Sequence, residues 1–232
     1  MSDPFSSEAW CQRWDENKIG WHTPLVHHQL KQFWDTFCPP DSPNKYVFVP
    51  LCGKSLDLQW MYLNEGCSVV GCDLSETALE SFVREHSILG MRRSSVQFKN
   101  GQRVVMFHTE DRKLRLYLCD LFLMDQSPET HFKFIWDRGS LVAMAPTLHR
   151  KYVDYISTLS AADVRWLLET IDYPEGIHDG PPCRISKDEF RELFDANFNS
   201  TLLCQTDFRK RLFENVEYCF TYINLLTRKP KA

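Results

Sequence analysis

Gly53 and Asp73 are the first residues in this chain whose types and spacing point to chemistry. Gly53 sits in the tight turn Leu51-Cys52-Gly53-Lys54-Ser55, between the apolar run Tyr46–Pro50 and a helical stretch from Leu56 to Asn64. Asp73 follows twenty residues later, at the end of the next apolar run, Ser68–Cys72. In open α/β sheets a ligand sits beyond the carboxyl ends of the strands, and an acid at about this distance from the glycine turn reaches a ribose hydroxyl. A carboxylate has lone pairs enough to accept from both vicinal hydroxyls of a ribose.

Three ligands compete for such a turn. Gly53-Lys54-Ser55 resembles the end of a phosphate-binding loop, but that loop needs a glycine five residues earlier, and Phe48 stands there. A dinucleotide site needs Gly-x-Gly-x-x-Gly so that backbone can approach a pyrophosphate, and only one glycine is present here. S-adenosylmethionine carries no phosphate and needs one close backbone approach together with a ribose-binding acid. The turn offers both. A plainer alternative is that Asp73 only caps the next helix, for a glycine and an acid alone are a weak signal.

The elements that must position these residues are legible from pattern. A short helix is expected from Ser7 to about Asn17, with Trp10 and Trp14 one turn apart, and a second from about Leu25 to Phe37, ended by Pro39, Pro40 and Pro43. Residues 46–86 read strand, helix, strand, helix, with Ser75 as N-cap of the helix from Glu76 to His86, which predicts parallel strands with a right-handed crossover. Further strands are expected at Val104–His108, Leu114–Cys119, Phe134–Asp137 and Val164–Ile171. Ser186-Lys187-Asp188-Glu189 is a capping box before Phe190 and Leu193-Phe194. Leu202–Phe208 and Tyr218–Thr227 follow with no helix expected between them and should pair antiparallel. The expected fold is α/β: a Rossmann-like, doubly wound, mostly parallel sheet with an antiparallel C-terminal hairpin edge and an N-terminal helical lid. It forms one domain over 1–232, with 1–40 as the extension and 45–228 as the core.

Composition narrows the function. A length of 232 residues with 43% hydrophobic content suits one α/β domain. The net charge of −4 argues against a nucleic-acid partner, which requires a clustered basic surface. No apolar run approaches the roughly 20 residues needed to span a bilayer, and Met1-Ser2-Asp3-Pro4 has no secretory character. The nine cysteines, an odd count without a Cys-x-x-Cys pair, fit reduced thiols in a cytoplasmic protein and no structural zinc. His27 and His28 are adjacent, which does not suit chelation from one helix face, so no metal is expected. Nothing in the sequence demands more than a monomer.

Five segments together are more specific than any of these patterns. Trp10-x-x-x-Trp14 with Trp21-His22, Pro50-Leu-Cys-Gly-Lys54, Val69-Val-Gly-Cys-Asp-Leu-Ser75, Ile135-Trp-Asp-Arg-Gly-Ser-Leu-Val-Ala143 and Gly180-Pro-Pro182 occur in order along nearly the whole chain. In these segments the chain resembles the thiopurine S-methyltransferase family. The resemblance implies transfer of a methyl group from S-adenosyl-L-methionine to the sulfur of a small aromatic or heterocyclic thiol, with S-adenosyl-L-homocysteine as the product. By matching positions, Trp10 and Trp14 would close over the cofactor, Leu51 and Gly53 would line its amino-acid end, and Asp73 would hold its ribose. Asp120 and Leu121 fall at the adenine, where a serine is expected at the first position and Asp120 departs from the pattern. Arg138 lies near both cofactor and acceptor and would steady the thiolate. Trp21 and Pro182 match acceptor contacts, and Lys210 matches an acceptor-side arginine only loosely, within Arg209-Lys210-Arg211.

Blander readings attach to the same residues. Trp10 and Trp14 could be core packing, Arg138 could pair with Asp137, and Gly180-Pro181-Pro182 could simply stiffen a loop. Cys52 is expected to pack and Lys54 to face solvent or a carboxylate. Rival functions are a methyltransferase of the same fold acting on halide, selenium or other thiols, a silent cofactor-binding protein, and a nicotinamide oxidoreductase, for which the glycine pattern is poor.

Overall fold

Alternation of apolar side chains along the strands creates two cores, one on each face of a single sheet. In the first strand Val47 and Val49 face one layer and Phe48 the other, and Phe134 and Trp136 oppose Ile135 in the same way further on. The computed structural model describes residues 3–213 and 215–230, so both chain termini, and with them the expected outer domain limits 1 and 232, lie outside the described residues.

In chain order the elements are α1 (Ser7–Asp15), α2 (His28–Gln32), α3 (Trp34–Phe37), β1 (Tyr46–Val49), α4 (Leu56–Leu63), β2 (Ser68–Asp73), α5 (Glu76–Glu85), β3 (Arg92–Gln97), β4 (Arg103–His108), β5 (Leu114–Leu118), β6 (Phe132–Asp137), α6 (His149–Leu159), β7 (Ser160–Asp172), α7 (Lys187–Phe194), β8 (Phe198–Asp207), α8 (Arg209–Leu212) and β9 (Phe220–Arg228). The sheet order is β3-β4-β5-β2-β1-β6-β7-β9-β8. Strands β5, β2, β1, β6 and β7 run parallel. From β1 the chain builds outward to β2 and β5, then crosses back to β6, so the order reverses between β1 and β6.

Helix starts follow from serines. The side chains of Ser6, Ser55, Ser75 and Ser186 accept from the backbone N–H of Ala9, Asp57, Ala78 and Glu189. Each such cap is worth about 1 kcal/mol. Glu189, expected to close its capping box, instead receives His149 Nδ1 at 2.6 Å and ties α7 to α6.

The α/β fold with its C-terminal hairpin is as expected, and the structure adds to it. The helix expected over Leu25–Phe37 is broken at Phe33, so that Gln29 can donate to Thr206 on β8 while Phe37 packs edge-on against Phe134. The hairpin turn, expected to lack helix, contains the single turn α8. A second antiparallel edge, β3 with β4 and β4 with β5, closes the other side of the sheet. Its outer strand Arg92–Gln97 has no apolar face because it is largely exposed.

Asp137, the last residue of β6, is buried, and its Oδ2 accepts from Tyr152 of α6 (2.7 Å) and from the Trp166 indole of β7 (3.1 Å). It does not pair with its neighbour Arg138, against the plainer reading of that dipeptide. Burial pushes its carboxyl up to about 6, and these donors only partly offset that. A group whose pKa is raised by folding contributes stability that is full below its unfolded value and is lost as pH rises through the folded value. Asp137→Asn removes this titration while keeping an acceptor. Between pH 4 and 7 the variant should therefore gain up to about 3 kcal/mol on the wild type in denaturant titrations; a difference independent of pH would refute the buried, ionising carboxylate.

Candidate functional site

The carboxyl ends of four neighbouring parallel strands carry the residues singled out by sequence. Leu51 and Gly53 follow β1, Asp73 ends β2, Asp120 and Leu121 follow β5, and Arg138 follows β6. At the centre, the Gly53 N–H donates to Asp73 Oδ2 at 2.8 Å, and the Ser75 N–H donates to Oδ1 at 2.9 Å. Asp73 is therefore both the acid beside the glycine turn and a support for the start of α5. Each carboxylate oxygen keeps a further lone pair for a ligand. Burial pushes the Asp73 carboxyl up to about 6, despite the backbone N–H groups of Ser75, Gly53 and Leu74.

The turn itself is unusual. Leu51 has φ +44° and Gly53 φ +50°. A leucine with positive φ is uncommon and costs energy, so the surrounding packing must hold it there. Cys52, between them, is buried, donates its N–H to Cys72 O at 2.9 Å and packs its sulfur where a Cβ on Gly71 would lie 2.7 Å away. Cys52 is thus packing, as expected, and Lys54 meets a carboxylate, Glu85, at 2.7 Å.

Helix α1 lies over this turn. A Cβ on Gly53 would come within 2.8 Å of Trp14 Cζ2, so the indole covers the glycine directly. Thr77 at the start of α5 donates to Asp15 at 2.5 Å, and the Cys11 thiol lies 3.8 Å from Leu74 O. Trp21 packs edge-on against both Trp10 and Trp14, with ring centroids 5.3 and 5.8 Å away, and remains partly exposed.

On the other side of β1, Arg138 Nε meets Glu169 of β7 at 3.4 Å, and the second Glu169 oxygen meets His27 Nε2 at 3.5 Å. Burial raises the Glu169 carboxyl, but His27, Arg138 and His28 outweigh it and hold it below the usual range. The His27 N–H and the Trp136 indole both donate to Asp57 at 2.8 Å, which fixes the segment after α1 to the strand that carries Arg138. Sequence reasoning missed Glu169 and Asp57. The available signal was a lone acid within the apolar stretches Leu167-Leu168-Glu169 and Leu56-Asp57-Leu58.

The remaining candidates differ in how they join this group. Asp120 is exposed and its Oδ1 accepts from the Phe122 N–H at 2.8 Å, while Leu121 is buried. Pro182 lies in the loop after β7, where its carbonyl accepts from Tyr173 at 2.7 Å. Lys210 is exposed on α8; the pairing of Asp172 with Phe220, and of Phe220 with Asp207, puts that turn at the same end of the sheet. Arg209 of the same triplet is engaged by Asp207 at 2.6 Å.

This doubly wound sheet, with its glycine turn and a buried acid at the strand ends, has the Rossmann-like fold of the S-adenosylmethionine-dependent methyltransferases it matches. The fold matches a Burkholderia thailandensis 1,6-didemethyltoxoflavin-N1-methyltransferase with bound S-adenosylhomocysteine at 14% identity, with a TM-score of 0.62 over 100% of this chain and 92% of that one. It also matches a geranyl diphosphate C-methyltransferase from Streptomyces coelicolor at 13% identity, with a TM-score of 0.63 and 99% of both chains covered. The family model for thiopurine S-methyltransferase matches residues 5–229. A probable thiopurine S-methyltransferase from Danio rerio is 34% identical over 198 residues, covering 85% of this chain and 83% of its own. The chain belongs to the thiopurine S-methyltransferase family and is an S-adenosylmethionine-dependent methyltransferase.

Gly53→Ala should strain the backbone and push Trp14 off the turn. Gly90→Ala is the control, since Gly90 shares the positive φ (+56°) but has nothing within 4 Å of its added carbon. In denaturant titrations Gly53→Ala should cost at least about 1 kcal/mol more than Gly90→Ala. Equal losses would show that Trp14 does not pack on the turn.

Proposed function

We propose that this methyltransferase transfers a methyl group to the sulfur of a small aromatic or heterocyclic thiol. The observation that carries the methyl-donor part of this reading is the Gly53–Asp73 contact of 2.8 Å at the carboxyl ends of β1 and β2, beneath Trp14. Residues 1–232 act as one domain in this reading, with 1–40 as the lid and 45–228 as the core.

The residues fit the methyl donor. The absence of a side chain at Gly53 lets Trp14 pack directly on the turn, and the amino-acid end of the donor would lie beside that indole along Leu51 and Gly53. Asp73 has lone pairs left for ribose hydroxyls. Asp120 and Leu121, at the end of the neighbouring strand, would meet the adenine, with Asp120 able to accept from its amine. When bound, the donor supplies a methyl group on positively charged sulfur. Trp10 and Trp14 would then cover it and exclude water.

On the acceptor side, Arg138 attracts and orients the thiolate, and Trp21, Pro182 and Lys210 border the opening. Aromatic thiols ionise readily, so no dedicated base is required. Holding acceptor sulfur, methyl and donor sulfur in line supplies most of the acceleration. Support for a sulfur acceptor comes from the names of the relatives and from the cation at the end of β6. The nine free cysteines, seven of them buried, suit a cytoplasmic protein. The partner is a small molecule and the enzyme acts as a monomer, apart from nucleic acid and membranes.

Arg138→Ala should lower kcat/KM towards thiophenol about 30- to 100-fold, because a charge-assisted contact to the acceptor is lost. Affinity for S-adenosylhomocysteine should change less than about tenfold, within the cost of one peripheral contact. Unchanged kcat/KM for every thiol tried would remove the acceptor-side role.

A further inference from the structure

Glu169 has no part in the chemistry above, yet among the described residues it is the carboxylate that pairs with the acceptor-side cation. It lies on β7 beside the end of β6, since Asp137 pairs with Leu168 across the two strands. Its side chain is about 15% exposed and is flanked by Arg138 at 3.4 Å and His27 at 3.5 Å. His27 is itself held by its N–H on Asp57 and by a ring contact of 5.4 Å with Trp136. The nearest approach of Arg138 to Glu169 is through Nε.

Charge determines what such an arrangement can accept. A bare buried guanidinium would attract any anionic group, including a carboxylate on an acceptor. With an ionised carboxylate against it, the pair is nearly neutral at a distance, while a soft thiolate brought against the terminal nitrogens still gains hydrogen bonds. A ligand with a fixed anion meets Glu169 as well as Arg138, in surroundings where charges interact strongly. The other charged groups near this end are Lys54, paired with Glu85, His22, whose imidazole is held below its usual range by burial and then by Lys54, and Lys210, which is exposed on α8 where solvent screens its pull on an anion.

Resting on the reading of Arg138 as the acceptor-side cation, we propose that Glu169, backed by His27, is a specificity-determining residue that holds the Arg138 guanidinium and offsets its charge, so that the thiolate is accepted but an aromatic thiol carrying a further anion, such as a carboxylate, is disfavoured. Glu169 is a positioning residue here, acting through Arg138.

The test compares kcat/KM for thiophenol and for 4-mercaptobenzoate in the wild type, Glu169→Gln, Glu169→Asp, and Arg138→Ala with and without Glu169→Gln. Binding of S-adenosylhomocysteine is the check on folding. The expected result is that Glu169→Gln raises the ratio of carboxylated to neutral thiol about tenfold, the scale of one partly screened charge, while Glu169→Asp keeps the wild-type ratio. In the Arg138→Ala background Glu169→Gln should shift the ratio much less, because it acts through the arginine. Should Glu169→Gln fail to bind S-adenosylhomocysteine, Glu169→Ala reads the same shift with space left for water. A ratio unchanged in the folded Gln or Ala variant, with both rates lowered alike, overturns this role and leaves the thiol methyltransferase reading intact. A wild type that methylates neither thiol overturns both.

Discussion

A buried carboxylate organises this end of the molecule. Taking Asp73 out of water costs several kcal/mol unless donors replace the lost solvent. The Gly53 and Ser75 N–H groups do so, and the oxygens can receive them only if β1 and β2 end side by side with a tight turn between β1 and α4. The positive φ at Leu51 and Gly53 is the backbone cost of aiming that N–H at the acid. Compensation is incomplete, and the carboxyl remains pushed up to about 6. A ligand that brings hydroxyl donors to it therefore supplies what the protein alone leaves short.

The seat of helix α1 depends on the same turn. Trp14 can rest on residue 53 only because that residue has no side chain. Further along, Asp57 receives both the His27 N–H and the Trp136 indole, so one carboxylate on α4 sets the segment after the lid against the strand that ends in Arg138. In the proposed reading this would link the cover over the donor to the acceptor-side cation, although the residues are far apart in sequence.

Much of this was legible in the chain. The glycine, the acid and their spacing mark a turn and a strand end because such positions tolerate few other residue types. The caps at Ser75 and Ser186 marked two helix starts, and apolar runs marked every strand but β3. What was not legible has physical reasons. Strand β3, Arg92–Gln97, is an exposed edge and so carries no apolar period. The helix His149–Leu159 was not read, although Tyr152, Val153, Ile156 and Leu159 form a helical stripe on its buried face. The partner of Arg138 could not be read, because Glu169 is thirty-one positions away and sheet order, not sequence, brings the two together. Asp137, the nearer acid, looks to Tyr152 and Trp166 instead.

The assignment stands or falls on whether the turn at residue 53 and the acid at residue 73, joined by their 2.8 Å hydrogen bond, border one adenosyl site. Calorimetric titration of S-adenosylhomocysteine into the wild type and into Asp73→Ala, each with an intact melting transition, addresses this directly. Saturable binding by the wild type with affinity lowered at least about thirtyfold in the variant, the scale of lost hydrogen bonds to a charged group, is the predicted result. Equal affinity in the two proteins, or no heat from either, would contradict it.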